Sequence, residues 1–335
     1  MSRKILSAAA AAVIVIAAAA AFLKKSEYNF SGFYLDTAVI CRTVSSDSGL
    51  SDKCRSIVSE ISSEASAYNE GSVIYGLNHG EDIPLEMQGN IPEILNGYKD
   101  FEKIFGKGIT PFCGKLTLLW NISSDAPRVP SETEINEALT HVYDSSEYNG
   151  SFPEGASADL GAGAKGYVCD LLLEAVKSDN SAEEIIFSAG SSSLMFSKKD
   201  RHFTAAVDDP FGDENAFEFS CGNSFISTAG GYERYFEDKG KKYTHIMDIN
   251  TGYPAETDLS SVTVILPCEQ GNGLYSDLLS TLIYIGGSEK AESYARICEN
   301  NFSSFGMIII DENADITAFG NAFTEISRKE KTTDK

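Results

Sequence analysis

The sequence predicts an α+β protein in which strands and helices are interspersed along one large domain. A chain of 335 residues, 42% of them apolar, can bury a sizeable core. Strand-like apolar runs occur at residues 33–41, 261–266 and 307–310. Residues 50–68 instead have the apolar spacing of a helix. These patterns indicate both kinds of element, although periodicity alone does not give the topology that connects them.

The remaining elements follow in chain order. Residues 26–32 are polar and predict a short linker, with the first strand at 33–41. A helix is expected at 92–105, and another after Ser131, which has Glu134 three residues on as in a capping box. A further helix is expected from about 167 to 176. Strands are expected at 184–187, 203–207 and 216–219, and 307–310 is expected to be the last one.

The first 25 residues form a separate segment. A basic start is followed by residues 5–23, a run of about 19 residues without a charge, which is near the length that spans a bilayer. A cleaved signal peptide is the alternative, because Ala19, Ala20 and Ala21 are small enough for a cleavage site. In either interpretation the body is expected to be exported, which predicts the extracytoplasmic face of the cell membrane for a protein that this segment anchors or exports.

Charge and cysteine content limit the partners. The net charge of −22 argues against a nucleic-acid partner, because phosphate binding needs clustered Lys and Arg. The seven cysteines form no C-x-x-C pair and no zinc spacing, so most are expected to be small buried residues.

Residues 227–255, STAGGYERYFEDKGKKYTHIMDINTGYPA, favour a β-hairpin. A turn at 238–240 precedes a strand at 243–247, and a second turn follows at 250–252. The returning strand would bring His245 and Asp248 to one place. A lone histidine is more often structural than catalytic, so the residues alone leave both roles open for His245.

Two further segments carry candidate ligand groups. DLGAGAKGY at 159–167 contains G-x-G-x-x-G, but a turn rather than a strand precedes it, which argues against a dinucleotide-binding fingerprint. A glycine-rich turn at a helix start suits phosphate, and Lys165 would add a charge; spacing leaves an anion site and an ordinary turn open. Asp277 and Thr281 share one helix face and offer hard oxygen ligands for Mg²⁺, or simply start a helix.

Taken together and in this order, these segments resemble motifs of the FAD:protein FMN transferases, the ApbE family. The resemblance runs from about residue 33 to 320. It rests on four motifs. They are D-L-G-x-x-A-K-G-Y at 159–167, Y-E-R-Y at 232–235 leading into H-I-x-D at 245–248, S-D-x-x-S-T at 276–281, and a glycine and a leucine that precede Trp120. Ile249 replaces a usual proline and Leu35 a usual methionine.

The resemblance implies an ApbE-like fold, with mixed sheets and packed helices in a domain at 33–326. That domain would follow the anchor and linker at 1–32, and a charged, disordered tail would occupy 327–335. It implies Mg²⁺-dependent transfer of FMN from FAD to a threonine of an acceptor flavoprotein of the redox-complex subunit type, with release of AMP. His245, with an ordinary pKa, would take the proton from the threonine.

The resemblance also assigns the other site residues. The metal would be held by Asp277 and Thr281, with backbone carbonyls near Ala162 and Ser280. The positions that match the family's FAD site are Leu35, Tyr68, Trp120, Asp159, Lys165 and Met247. Two alternatives stay open, an FAD pyrophosphatase in which water replaces the threonine, and a binding protein that stores FAD.

Overall fold

The computed structural model describes residues 25–124, 126–212 and 214–327. The expected N-terminal anchor and residues 328–335 of the expected tail lie outside the described residues. Within those ranges, no helix is both long enough and apolar enough to cross a membrane.

An eight-stranded antiparallel sheet forms the centre of the molecule. Its strands, in spatial order, are β1 (Ser26–Tyr34), β2 (Thr37–Ser45), β3 (Ala182–Ala189), β4 (Ser192–Ser197), β7 (Ser224–Gly230), β12 (Leu259–Pro267), β13 (Gly306–Asp311) and β14 (Ile316–Gly320).

Smaller sheets complete the β-structure. A three-stranded sheet has the order β15 (Phe323–Ser327), β6 (Asn215–Cys221), β5 (Phe203–Asp208). Two hairpins pair β8 (Tyr235–Asp238) with β9 (Lys241–Thr244), and β10 (Met247–Asp248) with β11 (Tyr253–Pro254).

The helices of the described part of the chain are α1 (Gly49–Glu64), α2 (Val73–Asn78), α3 (Ile91–Phe105), α4 (Gly114–Trp120), α5 (Glu132–Leu139), α6 (Ala164–Ser178), α7 (Asn272–Gly286) and α8 (Ser288–Asn301). Short 3-10 turns occur at Leu85–Met87 and Ser145–Glu147.

Strand β12 shows how the layers pack. Val264 and Leu266 are buried among the helices, whereas Ile265 between them is buried against the three-stranded sheet. Successive side chains of a strand point to opposite faces, so a strand covered on both faces is apolar at nearly every position. The large sheet therefore lies between a helical layer and the smaller sheet, which confirms the expected α+β fold.

Several expected elements are present close to their expected bounds. Helix α3 and strands β3, β5, β6 and β12 all appear. The capping box before α5 is complete, because the Ser131 hydroxyl accepts from the Glu134 N–H and the Glu134 carboxylate accepts from the Ser131 N–H.

Other expectations about the elements were wrong. The polar linker at 26–32 is strand β1, and the single strand at 33–41 is a hairpin that turns at Leu35 and Asp36, with φ of 52° and 55°. Positive φ at both central residues is the geometry of a type I′ turn. Such turns usually contain Asn-Gly, Asp-Gly or Gly-Gly, so the Leu-Asp pair did not predict one. Strand 307–310 is followed by β14 and β15, so Ser327 belongs to a strand.

Candidate active site

A cleft of about 960 Å³ collects every predicted site residue except Ser280. It lies where the N-terminal end of α6, one face of α7, the β1–β2 turn and the segment after β9 come together. Its volume is at the upper end of the range for small-molecule pockets. Residues up to 250 positions apart in sequence, Leu35 and Ile285, line this one space.

Asp277 lies at the deep end of the cleft and is only 3% exposed. Its Oδ2 accepts from the Gly166 N–H at 3.0 Å, and its Oδ1 accepts from the Ser192 hydroxyl at 2.9 Å. The Lys165 ammonium lies 3.7 Å from Oδ2. Burial raises the pKa of this carboxyl, and Lys165 and the two hydrogen bonds oppose that shift.

Glycines bring the two helices of this site unusually close. A Cβ on Gly166 would lie 2.2 Å from the Gly273 carbonyl oxygen, and a Cβ on Gly273 would lie 2.4 Å from that of Gly166. The approach places the first turn of α6 against Asp277 in α7. Asp170 fixes the same contact, because its carboxylate accepts from three N–H groups at the start of α7, those of Gly271, Gly273 and Leu274.

The groups around Asp277 fit a hard divalent cation. The Lys165 ammonium is 3.1 Å from the Gly161 carbonyl oxygen but 3.7 Å from Asp277, so it compensates the buried carboxylate only in part. Thr281, four residues on, lines the cleft beside it. A carboxylate, a hydroxyl and backbone carbonyls form the all-oxygen set that Mg²⁺ prefers.

The described residues offer a divalent cation at this place few side-chain ligands. Among the described residues, no three His, Cys, Asp or Glu side chains cluster as a metal site. Mg²⁺ is commonly held by one or two carboxylates together with substrate phosphates, and a single carboxylate at Asp277 matches that mode.

His245 lies in the cleft wall just after β9. Its Nδ1 hydrogen-bonds to the Arg234 carbonyl at 3.2 Å, and its backbone N–H donates to the same oxygen at 3.0 Å. A carbonyl only accepts, so Nδ1 carries the proton and Nε2 keeps its lone pair. Burial lowers the pKa of His245 to about 4, whereas the sequence suggested an ordinary value. The imidazole is therefore a neutral base at pH 7.

The mouth of the cleft is more open than its deep end. Tyr68 is 50% exposed there, and Leu35 lies in the β1–β2 turn, where the Ser62 hydroxyl accepts from its N–H. Asp159 shapes the glycine-rich loop by accepting from the Gly161 N–H at 2.8 Å. Helix α6 begins at Ala164, three residues before the predicted start, so Lys165 is in its first turn.

Trp120 and Met247 contribute to the wall from a small core. Trp120 is fully buried, and its indole N–H donates to the Gly252 carbonyl at 2.8 Å. Its ring packs against Tyr243 and Tyr253. It therefore supports the hairpin that carries His245 and also borders the cleft.

The structure does not bring two of the singled-out residues to the cleft. Ser280 is buried, and its hydroxyl donates to the Asp277 carbonyl at 2.9 Å. Asp248 instead accepts from the Asn250 N–H and holds the turn after β10. The expectation that the strand presents His245 and Asp248 together was therefore wrong, because Asp248 is used by local structure.

Two residues of the site were missed from the sequence. Ser192, which hydrogen-bonds Asp277, lies in a run of serines that gives no signal of its own. Arg234 lines the cleft, and its guanidinium donates to the Asp36 carbonyl at 3.0 Å. Its place in the Y-E-R-Y segment beside the predicted hairpin could have identified it.

A buried carboxylate, a helix-start loop with a lysine and a neutral histidine line one cleft of this α+β protein, and together these groups suit a phosphorylated ligand. Residues 33–303 match the ApbE family. The chain is 25% identical over 299 residues to an FAD:protein FMN transferase of Klebsiella pneumoniae, covering 86% of this chain and 90% of that protein. It is 28% identical over 251 residues to the enzyme of that name from Treponema pallidum, covering 68% of each.

A solved structure shows the same fold. The ApbE protein of Thermotoga maritima superposes with a TM-score of 0.72 at 26% identity, over 87% of this chain and 96% of that one. The family match covers well over half of the sequence. The protein belongs to the ApbE family.

Proposed function

We propose that this protein transfers FMN from FAD to a threonine hydroxyl of an acceptor protein, with Mg²⁺ bound, and releases AMP. One observation carries the proposal: a neutral histidine with a free Nε2 shares a cleft with a buried, incompletely compensated carboxylate. The relatives named FAD:protein FMN transferase support the identity of the substrate.

The phosphates of FAD would lie at the start of α6. The loop there presents the positive end of a 15-residue helix, and Lys165 adds a full charge in its first turn. The flavin and adenine would occupy the rest of the cleft, towards Tyr68 and Met247. A volume of about 960 Å³ is suited to a ligand of that size.

His245 would act as the general base. Its Nε2 takes the proton of the threonine hydroxyl, whose oxygen bonds to the phosphorus of the FMN half. The bond from that phosphorus to the bridging oxygen breaks, and AMP leaves with this oxygen. Lys165 offsets the charge that gathers on the phosphates. Asp277 and Thr281 would hold Mg²⁺, which neutralises the pyrophosphate when it is bound.

The test combines purified protein, FAD, MgCl₂ and an acceptor domain that carries a threonine. Mass spectrometry of the acceptor shows whether it gains FMN, and chromatography of the small molecules shows AMP and free FMN. Transfer gives labelled acceptor and equimolar AMP. Free FMN with unlabelled acceptors would identify a pyrophosphatase, and FAD recovered intact would identify a binding protein.

We further propose that the protein works at the extracytoplasmic face of the cell membrane. The support is the uncharged run at residues 5–23 with basic residues on both sides, which suits an anchor or a signal segment. Fractionation of cells that express the full chain tests this, and recovery in the cytosolic fraction would contradict it.

A further inference from the structure

A second cavity adjoins the cleft. It measures about 660 Å³ and is lined by residues from the β1–β2 hairpin, the β3–β4 turn and strand β5. We call it the β5 groove and define it by Phe33, Ala38, Ser188, Ser193, Ala206 and Asp208. None of these six residues lines the cleft itself. Seven of the sixteen residues that line this cavity also line the cleft, so the groove extends the cleft, and its other nine residues lie outside the proposed FAD site.

The groove and the cleft meet at Arg234. This residue lines both cavities, and its carbonyl is the group that holds His245. Its guanidinium donates to the Asp36 carbonyl in the β1–β2 turn, which also lines both cavities. A chain lying in the groove would therefore end beside the proposed base.

One wall of the groove is the edge strand β5. It pairs with β6 on one side, and in the described part of the chain no strand pairs with its other side. Thr204, Ala206 and Asp208 are exposed along it. An edge strand has unpaired N–H and C=O groups that accept another extended segment.

The opposite wall carries exposed apolar surface. The three-stranded sheet packs over the β7, β12 and β13 part of the large sheet and leaves the β1–β2 end uncovered. Phe33 is 74% exposed and Ile40, on the neighbouring strand, is 63% exposed. Large apolar side chains that share one exposed face commonly mark a contact surface.

We propose that the β5 groove binds the acceptor protein, by pairing an extended, threonine-bearing segment with the free edge of β5 and covering Phe33 with an apolar side chain. The proposal rests on the function proposed above, which requires a protein substrate to reach His245. The groove supplies the main-chain partners, the apolar contact and the opening at Arg234 in one continuous path.

Two groove variants with matched controls test this. Ala206→Glu adds a bulky charge to the exposed edge strand β5, and Ala318→Glu adds the same group to the exposed edge strand β14, outside both cavities. Phe33→Ser removes the apolar contact, and Met87→Ser removes an exposed apolar side chain that lines neither cavity. All four residues are exposed, so the variants are expected to fold.

The groove variants should raise the KM for the acceptor on the order of tenfold, which is the effect of losing a central interface contact. The control variants should stay within twofold of the wild type, and the FAD dissociation constant should not change in any variant. A second measurement uses an acceptor whose threonine is replaced by valine. Its addition should slow amide hydrogen exchange at residues 203–208.

If the acceptor KM stays within twofold of the wild type in both groove variants and exchange at 203–208 does not change, the acceptor does not bind in the β5 groove. Labelling of the acceptor by the wild type would in that case still support the transferase function. No labelling of any acceptor by the wild type would overturn the proposed function, and the acceptor's place in the groove with it.

Discussion

Asp277 and His245 line the same cleft, but they are held in different ways. Asp277 is 3% exposed, on a helix packed against another, and it contacts Gly166, Ser192 and Lys165. His245 follows a two-stranded hairpin, and its Nδ1 and its backbone N–H both hydrogen-bond to the Arg234 carbonyl. A group that stabilises charge, as proposed for Asp277, works best when it is held rigidly before the substrate arrives. The part of the cleft around His245 must instead admit the proposed acceptor protein.

Substitution of Asp277 should have the largest effect on turnover. Asp277→Asn removes the only carboxylate of the proposed metal site, so both FMN transfer and FAD hydrolysis should be abolished, because metal-ion stabilisation is worth several kcal/mol. Turnover measured against MgCl₂ concentration checks this.

The same substitution should leave the stability of the fold close to that of the wild type. The Gly166 N–H and the Ser192 hydroxyl lose a charged acceptor, at a cost of about 1–3 kcal/mol, but the substitution also removes a buried charge, and burial raises the pKa of that carboxyl. Thermal unfolding followed by circular dichroism checks that the loss of activity does not come from unfolding. Unchanged Mg²⁺ dependence in the folded variant would show that Asp277 has only a structural role.

Substitution of His245 should have a more selective effect. His245→Ala should lower FMN transfer by about 100- to 10,000-fold, the usual contribution of a general base. FAD binding should persist, because the α6 loop, Lys165 and Asp277 are unchanged, and hydrolysis by water should fall less. The ratio of labelled acceptor to free FMN reports this difference. Equal loss of both products would argue against a base that serves the threonine.

A third substitution tests whether Asp277 depends on the hydrogen bond from Ser192. Ser192→Ala leaves the Asp277 carboxylate in place but removes the donor to its Oδ1. Groups that orient a metal ligand typically contribute 10- to 100-fold to metal affinity, so the concentration of Mg²⁺ for half-maximal turnover should rise on the order of tenfold. The thermal stability of the variant without FAD should change little. If the variant needs the same Mg²⁺ concentration for half-maximal turnover as the wild type, Ser192 does not contribute to metal binding.

The smallest effect is expected from pH. The base works when it is neutral, and burial lowers the pKa of His245 to about 4. Above pH 5 it is therefore more than about 90% neutral, so the transfer rate should change less than about twofold between pH 5.5 and 8 and fall below pH 5. An ordinary histidine, with a pKa of about 6.5, would lose about tenfold by pH 5.5. A midpoint near 6.5 would contradict the burial of this imidazole.

Part of the fold followed from sequence because some signals are local. The Ser131 cap and the apolar run of β12 each depend on neighbouring residues, and both were predicted. Strand β1 was missed because its polar residues are held by main-chain pairing with β2, which composition does not record. The turn at Leu35 and Asp36 was missed because neither residue is a usual one at positive φ.

The site divides in the same way. Asp277 and Thr281 were predicted from their i, i+4 spacing on one helix, together with the family motif, and both line the cleft. Ser192 could not be found, since its hydrogen bond to Asp277 joins residues 85 apart in sequence. The shifted pKa of His245 was also inaccessible, because it comes from burial, a property of the assembled cleft.

The central claim is that the cleft passes FMN to a protein and not to water. The most direct measurement is the intact mass of a threonine-bearing acceptor after incubation with the full chain, FAD and MgCl₂, beside the same acceptor with valine at that threonine. We expect the threonine acceptor to gain one FMN, with one AMP released for each, and the valine acceptor to stay unlabelled. Free FMN as the sole flavin product with both acceptors would contradict the claim.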